Sequence, residues 1–155
     1  MAGNTLTIKT APAKSAIDGR AGVTVLVWEK VEGRRAVLDV VLKRFEKPDE
    51  IREFEKGRFE IVRLGGMTIG RATYQPGWRW SVDVGSATGA TSCQVEHVGM
   101  VVSGCATAAM EDGRVIEMRA GDIFYVPPGH DSWVVGNEPY VSLHFLGADD
   151  YARKG

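Results

Sequence analysis

The fold is decided by two stretches of the chain, CQVEHVGMVVSG at Cys93–Gly104 and GDIFYVPPGHDSW at Gly121–Trp133. Each combines a short apolar run with glycine or proline at the point where a strand has to stop. Between them, Asp112 and Gly113 stand inside a predicted hairpin loop, where glycine supplies the positive φ of a tight turn. We therefore predict a series of short antiparallel strands joined by tight turns.

The two stretches are spaced like the two signature motifs of the cupins, and this part of the chain resembles the cupin pattern closely. The resemblance implies an all-β fold, a double-stranded β-helix or jelly-roll barrel. It also implies a standard metal site, in which three histidines and one glutamate hold iron or manganese.

The ligand positions of the cupin motifs are mostly filled by other residues here. Anchored on Gly104, the first motif places its glutamate on His97 and its two histidines on Thr91 and Cys93. The second motif places its histidine on Ser132, and His130 comes two residues too early. The resemblance therefore predicts a recognisable barrel without its usual metal site.

Composition restricts the broad class of protein. The chain has 155 residues, about one domain, with 44% hydrophobic and 25% charged residues and a formal net charge of −1. No basic face for nucleic acid is implied, no apolar run is long enough to span a membrane, and the N-terminus lacks the apolar core of a secretory signal. Two cysteines are too few for a disulfide framework, so we expect a cytoplasmic protein with reduced thiols.

Residue patterns divide the chain into four parts. Before the barrel we predict a β-hairpin with strands at 22–28 and 36–45, followed by one short helix near 48–56, since Pro48 and two acids resemble a helix start. The predicted parts are a flexible arm at 1–21, the hairpin and short helix packed on the barrel at 22–58, the cupin barrel at 59–147 and a polar tail at 148–155. The hairpin is apolar on both faces, so we expect a second copy of the chain to cover it in a homodimer.

Strand alternation places Cys93 and His97 on the same side. Side chains two residues apart share a face of a strand, so both should point into the barrel, with Glu96 outside. Three interpretations of His97 stay open: a hydrogen-bonded structural histidine, a general acid or base, and a metal ligand. We assign His97 a catalytic role and Cys93 a role in substrate binding.

Four further residues, in the second motif and on the last strand, have side chains that could contribute to a site. Ser132 stands where the motif requires a ligand, and its hydroxyl could bind a substrate. His130 and Asp131 are adjacent in a turn, where an Asx-type turn is the favoured interpretation. His144 lies on the more polar face of the last strand, and simple alternation turns it away from the core.

Two tryptophans flank Arg79 just before the small-residue segment Ser81–Ser92, which we predict to be a mobile loop at the mouth of the barrel. Trp78 and Trp80 are candidate substrate-binding residues that would form the wall of a pocket. The alternative is that they pack as ordinary core residues.

These observations predict a cupin barrel that binds an unknown small molecule in an apolar pocket with His97 and Cys93. We expect no cofactor beyond a weakly bound divalent transition metal. The alternative is a metal-dependent cupin enzyme, a dioxygenase or isomerase, with a reduced ligand set built on His97. A third hypothesis is a sensory module whose output lies in a partner.

Overall fold

The computed structural model describes residues 40–152. The predicted arm and most of the predicted hairpin lie outside the described residues, and residues 40–44 have no regular secondary structure. Within the described range, the chain forms nine strands and two four-residue helices. They are β1 (Glu50–Phe54), β2 (Gly57–Leu64), β3 (Met67–Tyr74), α1 (Trp80–Asp83), α2 (Gly85–Thr88), β4 (His97–Ser103), β5 (Cys105–Met110), β6 (Val115–Arg119), β7 (Ile123–Val126), β8 (His130–Asp131) and β9 (Tyr140–Leu146).

The strands form two antiparallel sheets. The larger has the order β1-β2-β3-β9-β4-β7, and the smaller has the order β6-β5-β8. The last strand, β9, lies between β3 and β4, so strands distant in sequence become neighbours in the middle of the larger sheet. This arrangement is a cupin-type jelly-roll barrel, and the predicted all-β fold class is confirmed.

Apolar side chains from both sheets form one buried core. Phe59 and Ile61 of β2 and Val101 of β4 are fully buried, and Ala106 of β5 meets them from the smaller sheet. β2 is buried on both faces at its centre, where Glu60 accepts hydrogen bonds from the guanidinium of Arg71 at 2.7 and 3.0 Å. The buried carboxylate is tolerated there because its cross-strand partner neutralises it.

The predicted hairpin around Gly113 is confirmed. β5 and β6 pair antiparallel, and the backbone N–H of Met110 donates to the carbonyl of Arg114 at 2.8 Å to close the loop. Gly113 has φ of +89°, a conformation that glycine adopts without steric cost.

The predicted position of the short helix was wrong. Residues Glu50–Phe54 form β1, which pairs along its whole length with β2 through a turn at Glu55 and Lys56. Pro48 and the acids after it resemble a helix start, but Asp49 accepts a hydrogen bond from the backbone N–H of Arg63 at 2.7 Å. Pairing with β2 satisfies the backbone groups that a helix this short would leave unpaired.

The helical residues occur instead in the segment that we predicted to be a loop. α1 and α2 both lie within 80–88, and Gly85 packs so closely against Trp80 that a Cβ there would lie 2.7 Å from the indole ring. In the described part of the chain, neither helix has the length and hydropathy that crossing a membrane requires.

Gly99 provides a test of the packing beside the candidate site. A Cβ at this position would lie 2.2 Å from the carbonyl oxygen of Leu143 and 2.4 Å from the ring of Phe124. We expect Gly99→Ala to lower the free energy of unfolding by about 1–3 kcal/mol, the usual range for overpacking. Urea denaturation measures this change in the free energy of unfolding, and Met100→Ala, on the exposed face of the strand, is the control. Equal stability of the two variants would contradict this packing of β4 against β9.

Candidate functional site

Cys93 and His97 lie side by side in the barrel interior. Their exposed fractions are 1% and 3%, and the Cys93 Sγ lies 3.6 Å from the His97 Nε2. Glu96, between them, is exposed. The positions of all three side chains agree with the alternation predicted from the sequence.

His130 joins this pair through a backbone bridge. The N–H of Cys93 donates to the carbonyl of His130 at 2.7 Å, and the N–H of Gly129 donates to the carbonyl of Cys93 at 2.8 Å. Ligand atoms of Cys93, His97 and His130 consequently all lie within 4.8 Å of one another. The spacing of the cupin motif placed His130 out of register, so the sequence left open whether it contributes to the site.

The orientation of the His130 ring is fixed by the turn before it. Its Nδ1 lies 2.7 Å from the carbonyl oxygen of Pro127. A carbonyl oxygen only accepts, so Nδ1 carries the proton and Nε2 of the neutral ring has a free lone pair. The hydrogen bond therefore prepares Nε2 for a ligand in the way that is usual for metal-binding histidines.

His144 also lies inside the barrel, and its predicted outward orientation was wrong. It is 7% exposed, its Nε2 lies 3.0 Å from the Ser142 Oγ, and its ring centroid is 5.1 Å from that of His97. Tyr140, Ser142 and His144 share the buried face of β9. The prediction took the more apolar face as the inner one, whereas this barrel has a polar patch in its interior.

Tyr151 is a second residue that sequence reasoning missed. It was assigned to the polar tail, yet it is 3% exposed and its hydroxyl accepts a hydrogen bond from the Tyr74 hydroxyl at 2.8 Å. Its ring lies 5.2 Å from that of His97. The available signal was a single aromatic residue among charged ones at the end of the chain.

Trp78 and Trp80 form part of the cavity wall. They are 1% and 6% exposed, and Trp78 stacks on Tyr74 with ring centroids 3.8 Å apart. Both indole N–H groups are buried and have no hydrogen-bond partner within residues 40–152. Ser132 also borders the cavity, but its hydroxyl donates to the carbonyl of Thr107 at 2.5 Å. The structure thus brings all five predicted site residues to one region, while their roles remain predictions.

Asp131 connects β8 to the segment that contains Trp78 and Trp80. Its carboxylate accepts hydrogen bonds from Arg79 Nε at 2.7 Å, from the hydroxyl and N–H of Ser81, and from the N–H of Ser132. Burial raises the pKa of this carboxyl, but the hydrogen bonds from Arg79, Ser81 and Ser132 outweigh it, and the net shift is downward. Asp131 is therefore an ionised structural clamp beside His130.

The cavity at the centre of these residues is small. Its volume is about 40 Å³, which is room for about three water-sized positions. Its described lining includes three histidines, hydroxyl groups and aromatic rings, and no carboxylate. The lining residues are Tyr74, Trp78, Trp80, His97, Thr107, Ala108, Met118, Phe124, Val126, His130, Ser132, Tyr140, Ser142, His144 and Tyr151.

The three imidazoles and the Cys93 thiol of the site are neutral at physiological pH. Burial, with the neighbouring His144 and His130, lowers the pKa of His97 to about 2. Burial, with His130, lowers the pKa of His144 to about 4, and burial also lowers the pKa of His130. Burial raises the pKa of the Cys93 thiol to about 11. The Nδ1 atoms of His97 and His144 are buried without a partner among the described residues.

No protein-family model matches the chain, and no curated protein is similar to it. Several solved structures are similar in fold. A protein of unknown function from Rhizobium leguminosarum bv. viciae 3841 is 20% identical, over 69% of this chain and 95% of that one, with a TM-score of 0.49. A putative ethanolamine utilization protein Q from Salmonella typhimurium LT2 is 14% identical, over 59% and 70%, with a TM-score of 0.43.

Oxalate decarboxylase from Bacillus subtilis is 23% identical over 64% of this chain, with a TM-score of 0.43, and the chain spans only 27% of that protein's length. At these identities the likeness concerns the fold alone. The resemblance to cupins that the two sequence motifs indicate is confirmed at that level, and the two antiparallel sheets are consistent with a jelly-roll barrel.

Because the three histidines are buried, we expect the chelator-treated protein to lose stability at acidic pH. All three histidines of the chain have folded-state pKa values below the ordinary 6.5. Below pH 6.5 the unfolded chain therefore binds protons that the folded chain does not. Stability should be full above pH 6.5 and fall below it. His97 and His144, with folded-state pKa values of about 2 and about 4, should each contribute up to about 1.4 kcal/mol per pH unit.

Urea denaturation at pH 7, 6 and 5 measures this loss. His144→Gln should reduce the slope, because it removes one histidine whose pKa is lowered in the folded state. Equal stability at pH 7 and pH 5 would show that the histidines are solvated rather than buried.

The reactivity of Cys93 tests its placement. In the Cys105→Ser variant, Cys93 is the only thiol, and its burial and raised pKa should make its labelling slow at neutral pH. Cys93→Ser, which leaves the partly exposed Cys105, should label much faster. The labelling rate is followed by the absorbance of the group that the thiol reagent releases. Denaturant added at the end gives the total thiol content. Rapid labelling of Cys93 in the folded protein would remove the basis for every role assigned to its neighbour His97.

Proposed function

We propose that this barrel binds one divalent transition metal ion at Cys93, His97 and His130 and holds a very small ligand at the remaining coordination position. The proposal combines the predicted small-molecule site with the predicted reduced ligand set built on His97. The observation that carries it is the convergence of three buried ligand atoms within 4.8 Å of one another.

The separation of the sulfur and nitrogen atoms is compatible with a metal. Bond lengths of about 2.3 Å for Zn–S and 2.05 Å for Zn–N at a tetrahedral angle place the two ligand atoms about 3.6 Å apart. The Cys93 Sγ and the His97 Nε2 are 3.6 Å apart. The two side chains could therefore coordinate one ion without rearrangement.

The donor set restricts the metal. One thiolate and two imidazoles suit zinc, cobalt, nickel or iron(II), whereas magnesium and calcium prefer oxygen ligands. Manganese also prefers carboxylates, and the described cavity lining has none. The manganese implied by the cupin resemblance therefore does not fit this site.

Three protein ligands leave a position open, and that is the composition of catalytic rather than structural zinc sites. A bound metal would supply Lewis acidity and a lowered pKa of a coordinated water. The chain's own residues contribute a small space lined by aromatic rings and a neutral His144, 5.1 Å from His97 between ring centroids. That composition favours a metal-dependent enzyme acting on a very small substrate.

A metal-free site is the second candidate. With its pKa raised to about 11, Cys93 keeps its proton and can donate it to the His97 Nε2 at the same 3.6 Å separation. The site would then be a neutral, partly apolar cavity that binds a small molecule directly. Metal binding distinguishes the two candidates.

Metal stoichiometry is the decisive measurement. After chelation and dialysis, the protein should take up one Zn²⁺ or Co²⁺ per chain in calorimetric titration. The Co²⁺ form should show a thiolate-to-metal charge-transfer band. Cys93→Ala, His97→Ala and His130→Ala should each weaken binding by about 100-fold or more, since each removes one of three ligands.

Cys105→Ser is the matched control and should bind the metal unchanged, because Cys105 lies outside the cluster. Circular dichroism of each variant checks that it is folded. Failure of folded wild-type protein to bind either ion would reject the proposal in favour of the metal-free site. A folded His130→Ala variant with undiminished affinity would exclude His130 as a ligand.

A further inference from the structure

We infer that the ligand of this site is a small monovalent anion of about four non-hydrogen atoms or fewer, with hydrogen-bond-accepting oxygens or nitrogens. The inference rests on the proposed metal site and adds the chemical class of its ligand. Two features of the cavity carry it, unpaired donors and the available space, together with the positive charge that the proposed metal ion would bring.

The donors come from the two tryptophans in the wall. An indole N–H can only donate, and burial without a partner is costly for such a group. Both Trp78 and Trp80 border the cavity, and both N–H groups are buried without a partner among residues 40–152. Native proteins seldom leave two such groups unsatisfied in one place, so a bound acceptor is the simplest explanation.

The charge balance of the site favours an anion. A divalent ion held by one thiolate and two neutral imidazoles keeps one uncompensated positive charge. No aspartate or glutamate occurs in the described lining of the cavity. Asp131 next to His130 is engaged with Arg79, and Asp83 accepts from the N–H of Arg79 through Oδ2, while its Oδ1 lies 3.7 Å from the Lys56 Nζ and has no hydrogen-bond partner among the described residues. A monoanion would neutralise the site, since a buried net charge is expensive.

The size of the cavity limits the anion. About 40 Å³ accommodates about three water-sized positions, which suits a carboxylate with one or two carbons. An aromatic carboxylate would not fit without displacing Trp78, which is held by its stack on Tyr74. The ligand is therefore distinguished by charge and by size, and both can be tested.

Acetate, acetamide and benzoate are suitable probes. Acetate and acetamide have the same shape and differ in charge, whereas benzoate has the charge but not the size. The Co²⁺ form of the full chain is titrated with each, and both the visible absorption of the metal and tryptophan emission are recorded. Acetate should give a saturable change in both signals. Acetamide and benzoate should each bind at least about 10-fold more weakly, because one lacks the charge and the other exceeds the space.

Trp80→Phe tests the donor directly, because it keeps a ring and removes the N–H. It should weaken acetate binding by about 10-fold and leave Co²⁺ affinity unchanged. Trp133→Phe is the control, since Trp133 lies under the Arg79 guanidinium and outside the cavity lining. Trp78→Phe provides a second donor variant if Trp80→Phe does not fold.

The outcomes separate this inference from the proposed function. Co²⁺ binding without any response to acetate, or with equal affinity for acetate and acetamide, overturns the inference and leaves the metal site intact. Acetate affinity that is unchanged in the folded tryptophan variants removes the indole donors from the argument and overturns it as well. Absence of Co²⁺ binding overturns the proposed function, and the inference falls with it.

Discussion

The backbone bridge between Cys93 and His130 is the constraint on which the site depends. Two hydrogen bonds, from the N–H of Cys93 to the carbonyl of His130 and from the N–H of Gly129 to the carbonyl of Cys93, hold the two segments side by side. His97 begins the strand that follows, four residues later, so its ring reaches the same point. The turn at Pro127 then orients the His130 ring. Each ligand atom of the proposed metal site is therefore positioned by main-chain geometry rather than by side-chain packing alone.

The interior of this barrel combines a conventional apolar core with a costly polar patch. Phe59, Ile61 and Val101 pack between the sheets at full burial, as expected for a domain of this size. Beside them lie the three histidines, each with a pKa lowered by burial, so the folded protein gives up proton binding that the unfolded chain retains. The Nδ1 atoms of His97 and His144 are also buried without a partner among the described residues. Such unpartnered polar atoms are usual where a protein preserves a binding site at the expense of stability.

The wall of the cavity is held by a separate set of interactions. Asp131 follows His130 directly and accepts hydrogen bonds from Arg79 and Ser81, which flank Trp80. The carboxylate thus connects the tryptophan segment to the strand that carries a proposed metal ligand. Because the pKa of Asp131 is lowered, this connection persists at mildly acidic pH, where the histidines already reduce the stability of the fold.

Much of the architecture could be predicted from the sequence because strand alternation and turn chemistry are local. The hairpin around Gly113 and the shared face of Cys93 and His97 follow from residues within a few positions of one another. The same local reasoning misplaced the helix, because Glu50–Phe54 pairs with a neighbouring strand that its own residues do not specify.

The composition of the site was decided only by tertiary structure. His130 enters it through a bridge to a residue 37 positions earlier, and His144 because β9 inserts between β3 and β4 with its polar face inward. Tyr151 reaches the cavity from beyond the last strand. Alternation along a strand establishes which side chains share a face. It does not establish which face is buried, because that depends on the other sheet and on the polarity of the space between them.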